Sequence, residues 1–117
     1  MARIGIIAAM QPEFEILHES LEDCEELRYA GLNFYIGYIQ GTEVALCQCG
    51  VGKVNASMAA TILITDLECS LLINTGIAGG FGLKTKDVVI ASSLSYYDFD
   101  TTIFGYDYGQ VLSLIHI

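Results

Sequence analysis

The run Ile4-Gly5-Ile6-Ile7-Ala8-Ala9-Met10, closed at once by Gln11-Pro12, constrains this chain more than any other feature. It offers no charged side chain to water on either face, so it reads as a strand buried on both sides, as parallel strands of α/β sheets are. Proline is at home in a helix's first turn, so a helix is expected to begin at Gln11-Pro12. Phe14, Leu17 and Leu21 recur at helical spacing and form its inward stripe. Leu71-Leu72-Ile73-Asn74 reads as another buried strand, leading into Thr75-Gly76-Ile77-Ala78-Gly79-Gly80. Between the two lies a meander: a short strand near Leu27 to Tyr29, then Leu32 to Ile39, then Glu43 to Cys49. Gly31 and Gln40-Gly41 supply its turns. Gly50-Val51-Gly52 breaks the pattern, and a second helix is expected from Lys53. Its core stripe is read as Val54, Met58 and Ile62, with Ala56, Ala59 and Ala60 allowing close approach to the sheet. Asp87 to Ser92 reads as a further strand, and Ser95 to Tyr108 as a polar, aromatic segment. The pattern predicts an α/β fold with a mixed central sheet and flanking helices.

Hydrophobic residues make up 53% of the chain and charged residues 16%, which is too apolar for disorder. The net charge is −9, with five Lys plus Arg in all. A nucleic-acid partner is therefore excluded, because phosphate neutralisation needs clustered cations. The acidic run from Glu13 to Glu26 is read as a solvated helix face and loop, Glu13 excepted. Cys24, Cys47, Cys49 and Cys69 are read as buried free thiols of a reducing cytosol, since no second CxC or CxxC completes a metal site. The apolar stretch from Ile4 to Met10 is too short for a signal peptide, and no run is long enough to span a bilayer. A cytoplasmic protein is expected.

In open α/β sheets, ligands bind beyond the carboxyl ends of the strands. Three segments fall at such ends: Ala9 to Glu13, Gly50 to Lys53 and Thr75 to Gly80. Glu13 stands in the first helical turn, where the helix N-terminus favours an ionised carboxylate. Such a carboxylate at a cleft rim can act as a general base on water. An acid in a helix first turn is also a common structural choice, and Glu15 competes for the same role. Gly76-x-Ala78-Gly79-Gly80 lets backbone approach a ligand and offers N–H groups, or is a plain turn. It is not the G-x-G-x-x-G fingerprint, and Gly50-Val51-Gly52-Lys53 is no P-loop. Lys53 reads as a surface residue at a helix start. His18 is expected on the outer side of the first helix, and neither it nor His116 has a partner suited to base or metal chemistry. Tyr96, Tyr97, Phe99, Phe104, Tyr106 and Tyr108 fit a core, a stacking surface or a subunit interface. Their mixture with Asp98, Asp100 and Asp107 argues for partial exposure.

Taken in order, these segments resemble one family. Ile4-Gly5-Ile6-Ile7-Ala8-Ala9-Met10-x-x-Glu13, Gly41-Thr42-Glu43-Val44-Ala45-Leu46 and Gly50-Val51-Gly52-Lys53-Val54-Asn55-Ala56 are similar to methylthioadenosine/S-adenosylhomocysteine nucleosidases. Ile73-Asn74-Thr75-Gly76-x-Ala78-Gly79-Gly80, Tyr97-Asp98-x-Asp100 and Phe104-Gly105-Tyr106-x-Tyr108-Gly109-Gln110 extend the resemblance, which runs from about Arg3 to Gln110.

The resemblance implies the purine nucleoside phosphorylase fold and hydrolysis of the N-glycosidic bond of 5′-methylthioadenosine and S-adenosylhomocysteine, with release of adenine. It further implies a homodimer working without metal or organic cofactor. Glu13 matches the residue that activates the attacking water. Ala9 and Met10 match the water and ribose side, Val51 an apolar residue under sugar and base, and Ala78 and Gly79 the loop at the ribosyl and base region. Thr101 and Phe104 fall where the family covers the neighbouring subunit's 5′-alkylthio pocket. A phosphorylase of the superfamily should present cations to phosphate, whereas Glu13 would repel it, with Arg3 at the far end of its strand. Hydrolysis is therefore preferred over phosphorolysis. The other readings are another purine nucleosidase, a nucleoside phosphorylase, or a non-catalytic nucleoside-binding module.

Ile77 departs from the serine often seen in this loop, and Gln11-Pro12 from the acidic residues common before the glutamate. Residues 1–110 are expected to form the N-terminal part of a nucleosidase domain. Residues 111–117 fit no element expected at that point and are expected to be a non-family tail that marks a truncation boundary. The ribose-binding residues and the leaving-group acid would then lie outside the chain, and these 117 residues alone would be inactive.

Overall fold

The computed structural model describes residues 2–110, which divide after Gly79 into two compact units. The expected tail 111–117, with His116, lies outside the described residues. In the first unit the elements run β1 (Arg3–Ala8), α1 (Gln11–Glu19), β2 (Glu22–Tyr29), β3 (Leu32–Ile39), β4 (Thr42–Gln48), α2 (Lys53–Thr65) and β5 (Cys69–Thr75). One five-stranded sheet takes the order β2-β3-β4-β1-β5. β1 pairs in parallel with β4 and with β5, and β2-β3-β4 is an antiparallel meander. The fold is α/β with a mixed sheet, as the pattern of the sequence predicts.

Successive side chains of β1 feed opposite cores, because strand side chains alternate. Ile6 and Ala8 join Val44, Leu46 and Phe14 of α1, with Leu17 and Leu21 packed against them. Ile7 joins Phe34, Ala45, Cys47 and Cys49 under Ala59, Ile62 and Leu63 of α2. Arg3 fastens the opening of β1: its Nη2 pairs with Glu43 Oε1 at 2.9 Å, and its Nη1 donates to the Leu67 carbonyl at 2.7 Å. Cys47, Cys49 and Cys69 are buried free thiols, and burial pushes Cys47 up to about 12. Cys24 is exposed instead. No helix among the described residues is long and apolar enough to cross a membrane.

Several elements differ from the sequence reading. β2 starts at Glu22, so the latter part of the acidic run is strand, not loop. An edge strand pairs on one side only, and its backbone ladder tolerates charged side chains that discourage further pairing. β5 was expected to be buried, yet Leu71 and Ile73 are 54% and 42% exposed. They sit beside Ile4 and Ile6 at the sheet margin, while α1 packs over β1 and β4. In α2 the expected stripe holds at Ile62 and fails at Val54 and Met58. Val54 is 84% exposed and Met58 is exposed too; Ala59, Ile62 and Leu63 are buried. Val54 stands roughly 140° around the helix from Ala59 at 100° per residue, and α2 is apolar around much of its circumference, so spacing alone does not identify the packed side. The alanines do, because Ala56 and Ala60 also lie against the core.

In the second unit Asp87 to Ser92 forms no strand. A strand exists through its ladder partner, and Val88 and Ile90 are instead almost fully exposed. The unit is tied by Tyr96 N–H to the Gly109 carbonyl and Gly109 N–H to the Phe99 carbonyl. Its described residues hold one 3-10 turn, at Thr102–Phe104. Its tyrosines are partly exposed, as their mixture with aspartates suggested.

Leu63 is fully buried and Val54 is not. Leu63→Ala is therefore expected to destabilise the chain by about 2–5 kcal/mol, and Val54→Ala to change it by no more than about 0.5 kcal/mol. Urea unfolding midpoints measure both; equal losses would return the packed side to Val54 and Met58.

Candidate active site

The parallel register sets the site. Ala8 lies opposite Gln48 on one side and Thr75 on the other, so β1, β4 and β5 end together. Cys49 N–H donates to the Ala8 carbonyl at 2.9 Å and carries the pairing one residue further. The segments Ala9–Glu13, Gly50–Lys53 and Thr75–Gly79 therefore leave from one end of the sheet, as the topology predicted. Gly80 belongs to the second unit.

Glu13 is the third residue of α1, counted from the N-cap Met10. Its side chain turns back over the helix start. Oε2 accepts the Met10 N–H at 3.0 Å and the Ala9 N–H at 3.2 Å, while Oε1 accepts the Ile77 N–H at 3.0 Å. A glutamate at this position commonly reaches the N-cap amide as half of a capping box. Capping does not account for Ile77, which is 64 residues away in sequence. The Ile77 N–H holds the carboxyl below the usual carboxylate range, with Met10 next in effect; partial burial opposes this and the Ala9 N–H assists it. Hydrogen bonds to the charged form favour ionisation. Glu15, the competing acid, is exposed.

The other expected site residues divide by unit. Ala9 is half-buried, and Met10, Val51, Ala78 and Gly79 are exposed, all on segments leaving the same sheet end. The Val51 loop is closed by Asn55 Nδ2 donating to the Val51 carbonyl at 2.8 Å. Gly52, at φ 107°, adopts a left-handed backbone that favours glycine before α2 begins. Lys53 is the exposed first residue of α2. Burial raises the Cys49 thiol, and the Glu13 charge adds to the effect. In the second unit Thr101 is buried and its Oγ1 donates to the Gln110 carbonyl at 3.0 Å, whereas Phe104 is exposed. His18 does not face outward as expected. Its ring stacks on Phe14 at 5.1 Å and meets the edge of Tyr35 at 4.3 Å, because the Phe14–His18 spacing of one turn carries it over β3. Sequence reasoning read this loop as offering N–H groups to a ligand, and missed that the one at Ile77 engages Glu13. The glycine before it was the available signal of a close backbone approach.

A carboxylate braced by backbone amides, at the shared end of parallel strands in a mixed α/β sheet, defines a class of small-molecule site at strand termini. The sequence model of the phosphorylase superfamily matches residues 3–116, and the chain belongs to that superfamily. Within it, the chain is 46% identical over 111 residues to a 5′-methylthioadenosine/S-adenosylhomocysteine nucleosidase of Desulfotalea psychrophila, covering 93% of this chain and 47% of that protein. The nucleosidase of the same name from Listeria monocytogenes is 47% identical over 110 residues, covering 92% and 47%. Among solved structures, the Colwellia psychrerythraea nucleosidase in complex with adenine superposes with a TM-score of 0.91 at 44% identity, over 94% of this chain and 46% of that one. A nucleosidase of S. pneumoniae with a transition-state inhibitor gives 0.89 at 43% identity, over 93% and 48%. The chain spans about half the length of the curated relatives it matches.

The carboxyl of Glu13 should titrate below the ordinary carboxylate range, as followed by its ¹³Cδ shift against pH. Because the folded value is depressed, the stabilisation from the amide clamp is present above the unfolded value and is lost as pH falls through the folded one. A midpoint at or above that of an unfolded glutamate would contradict the clamp.

Proposed function

We propose that this chain supplies the water-activating part of an N-glycosidic hydrolase centre acting on 5′-methylthioadenosine and S-adenosylhomocysteine and releasing adenine. The observation that carries this is the Glu13 carboxylate, ionised and fixed by amides at the common end of β1, β4 and β5. A carboxylate has about four lone-pair directions, and the amides take three of them, two on Oε2 and one on Oε1. The remaining direction, on Oε1, suits one water molecule. As the water oxygen bonds to the anomeric carbon, its proton passes to Glu13, and the carbon–nitrogen pair leaves with the base. Glycoside cleavage passes through an oxocarbenium-like state, which a fixed anion beside it also stabilises.

The names of the relatives support this substrate class, as do the adenine and transition-state-inhibitor complexes of two of them. Charge supports hydrolysis over phosphorolysis. Both arginines lie elsewhere, Arg3 paired at the opposite end of β1 and Arg28 in the edge strand β2; in the first unit Lys53, at the start of α2, is the cation nearest in the fold, and the anionic Glu13 repels phosphate. Around the carboxylate, Ala9 and Met10 would line the water and ribose side, Val51 the sugar and base, and Ala78 and Gly79 the loop over them. Thr101 and Phe104 would serve the 5′-alkylthio pocket of a neighbouring subunit in a homodimer. Buried free thiols suit a cytoplasmic setting.

In protein expressed from its complete reading frame, Glu13→Gln should lower turnover of methylthioadenosine by about 10²–10⁴-fold with the circular-dichroism spectrum unchanged. Adenine release at close to the parent rate would remove Glu13 from the mechanism.

A further inference from the structure

Gly76 follows the last residue of β5 and precedes the amide that Glu13 engages. Its backbone is not in the left-handed region, so no conformational demand explains a glycine there. Space does. A Cβ at this position would stand 2.6 Å from Glu13 Oε1, 3.0 Å from its Cδ and 3.3 Å from Oε2. All three close contacts belong to one carboxylate. Gly79, in the same loop, shows the contrast, since a Cβ there meets nothing within 4 Å.

We infer that Gly76 is a positioning residue for Glu13: the missing side chain leaves the gap in which the carboxylate lies against the end of β5 and reaches the Ile77 N–H. This rests on the reading of Glu13 as the base. With a methyl group at residue 76, Oε1 must withdraw by about 0.8 Å to reach an ordinary contact of 3.4 Å. The Ile77 N–H bond, now 3.0 Å, is then broken or badly bent. The amides of Ala9 and Met10 both bond Oε2, so they do not supply the donor that Oε1 loses. The neighbouring titratable groups at this end of the sheet are Cys49, which follows β4, and Lys53, which opens α2. Burial keeps Cys49 a thiol, and that thiol already donates to the Gly50 carbonyl at 3.1 Å, so it does not replace the lost amide.

The test uses protein from the complete reading frame, with the Glu13 ¹³Cδ titration and the pH profile of kcat/KM measured side by side. In Gly76→Ala the Glu13 midpoint should rise toward the ordinary carboxylate value, and the acid limb of kcat/KM should rise by the same amount. kcat should fall roughly 10²-fold, as expected for a catalytic group displaced by about an ångström. Gly79→Ala should leave the Glu13 midpoint where it is. An unmoved midpoint in Gly76→Ala overturns the inference. A midpoint that moves while the acid limb does not leaves the positioning role standing and removes Glu13 as the base. If Gly76→Ala fails to fold, the double variant Gly76→Ala, Glu13→Ala should fold, since the obstructing carboxylate is gone. Failure of the double variant as well would show that the glycine is needed for something other than Glu13.

Discussion

β1 is held between two parallel neighbours, and the site depends on that double register. Ala8 faces Gln48 and Thr75 at once, so the chain resumes from three strand ends at one level. A slip of one residue in β5 would move its end by about 3.3 Å along the strand and turn its side chains over. That displacement exceeds the length of the Ile77-to-Glu13 hydrogen bond, 3.0 Å. The carboxylate clamp is thus a readout of sheet register. It requires the two cores that fix β1 from above and below, Ile6 and Ala8 on one side and Ile7 on the other.

Holding a carboxylate with amides rather than with a cation has a chemical consequence. An arginine partner would occupy the anion bidentately and neutralise it. Amides are dipoles: they keep the group ionised and leave its net charge in place for a developing positive centre. The same bonds make Glu13 a weaker base, since the charged form is favoured. For a reaction through an oxocarbenium-like state the exchange is favourable, because the carbon is already strongly electrophilic and the water needs orientation more than deprotonation.

Much of this was legible in the sequence. β1, α1, β3 and β4 follow from an unbroken apolar run, a proline at a helix start and alternation bounded by turns, all of them local signals. Glu13 was legible for the same reason: it stands at fixed offsets from a strand end and a helix start. What escaped depends on neighbours. Leu71 and Ile73 look like core residues, yet exposure at a sheet margin is decided by where α1 lies. Val54 and Leu63 are equally apolar, and only the docking of α2 through its alanines separates them. Asp87 to Ser92 has the composition of a strand, but pairing is a property of two segments. His18 was placed outward by its offsets from Phe14 and Leu17, yet the four-residue step from Phe14 is one helical turn and carries it onto Tyr35.

Ile77 shows why side-chain comparison alone misjudges this loop. The residue is 82% exposed, and its N–H is the largest cause of the lowered Glu13 pKa. Any residue except proline supplies that amide, so the identity of residue 77 says little about whether the carboxylate is held. Replacing a hydroxyl there with an aliphatic group removes a possible contact to water but leaves the bond that fixes the base. The constraint falls instead on the preceding position, where the smallest side chain leaves the carboxylate its room. A loop of this kind works through backbone geometry, and its sequence records where atoms must be absent.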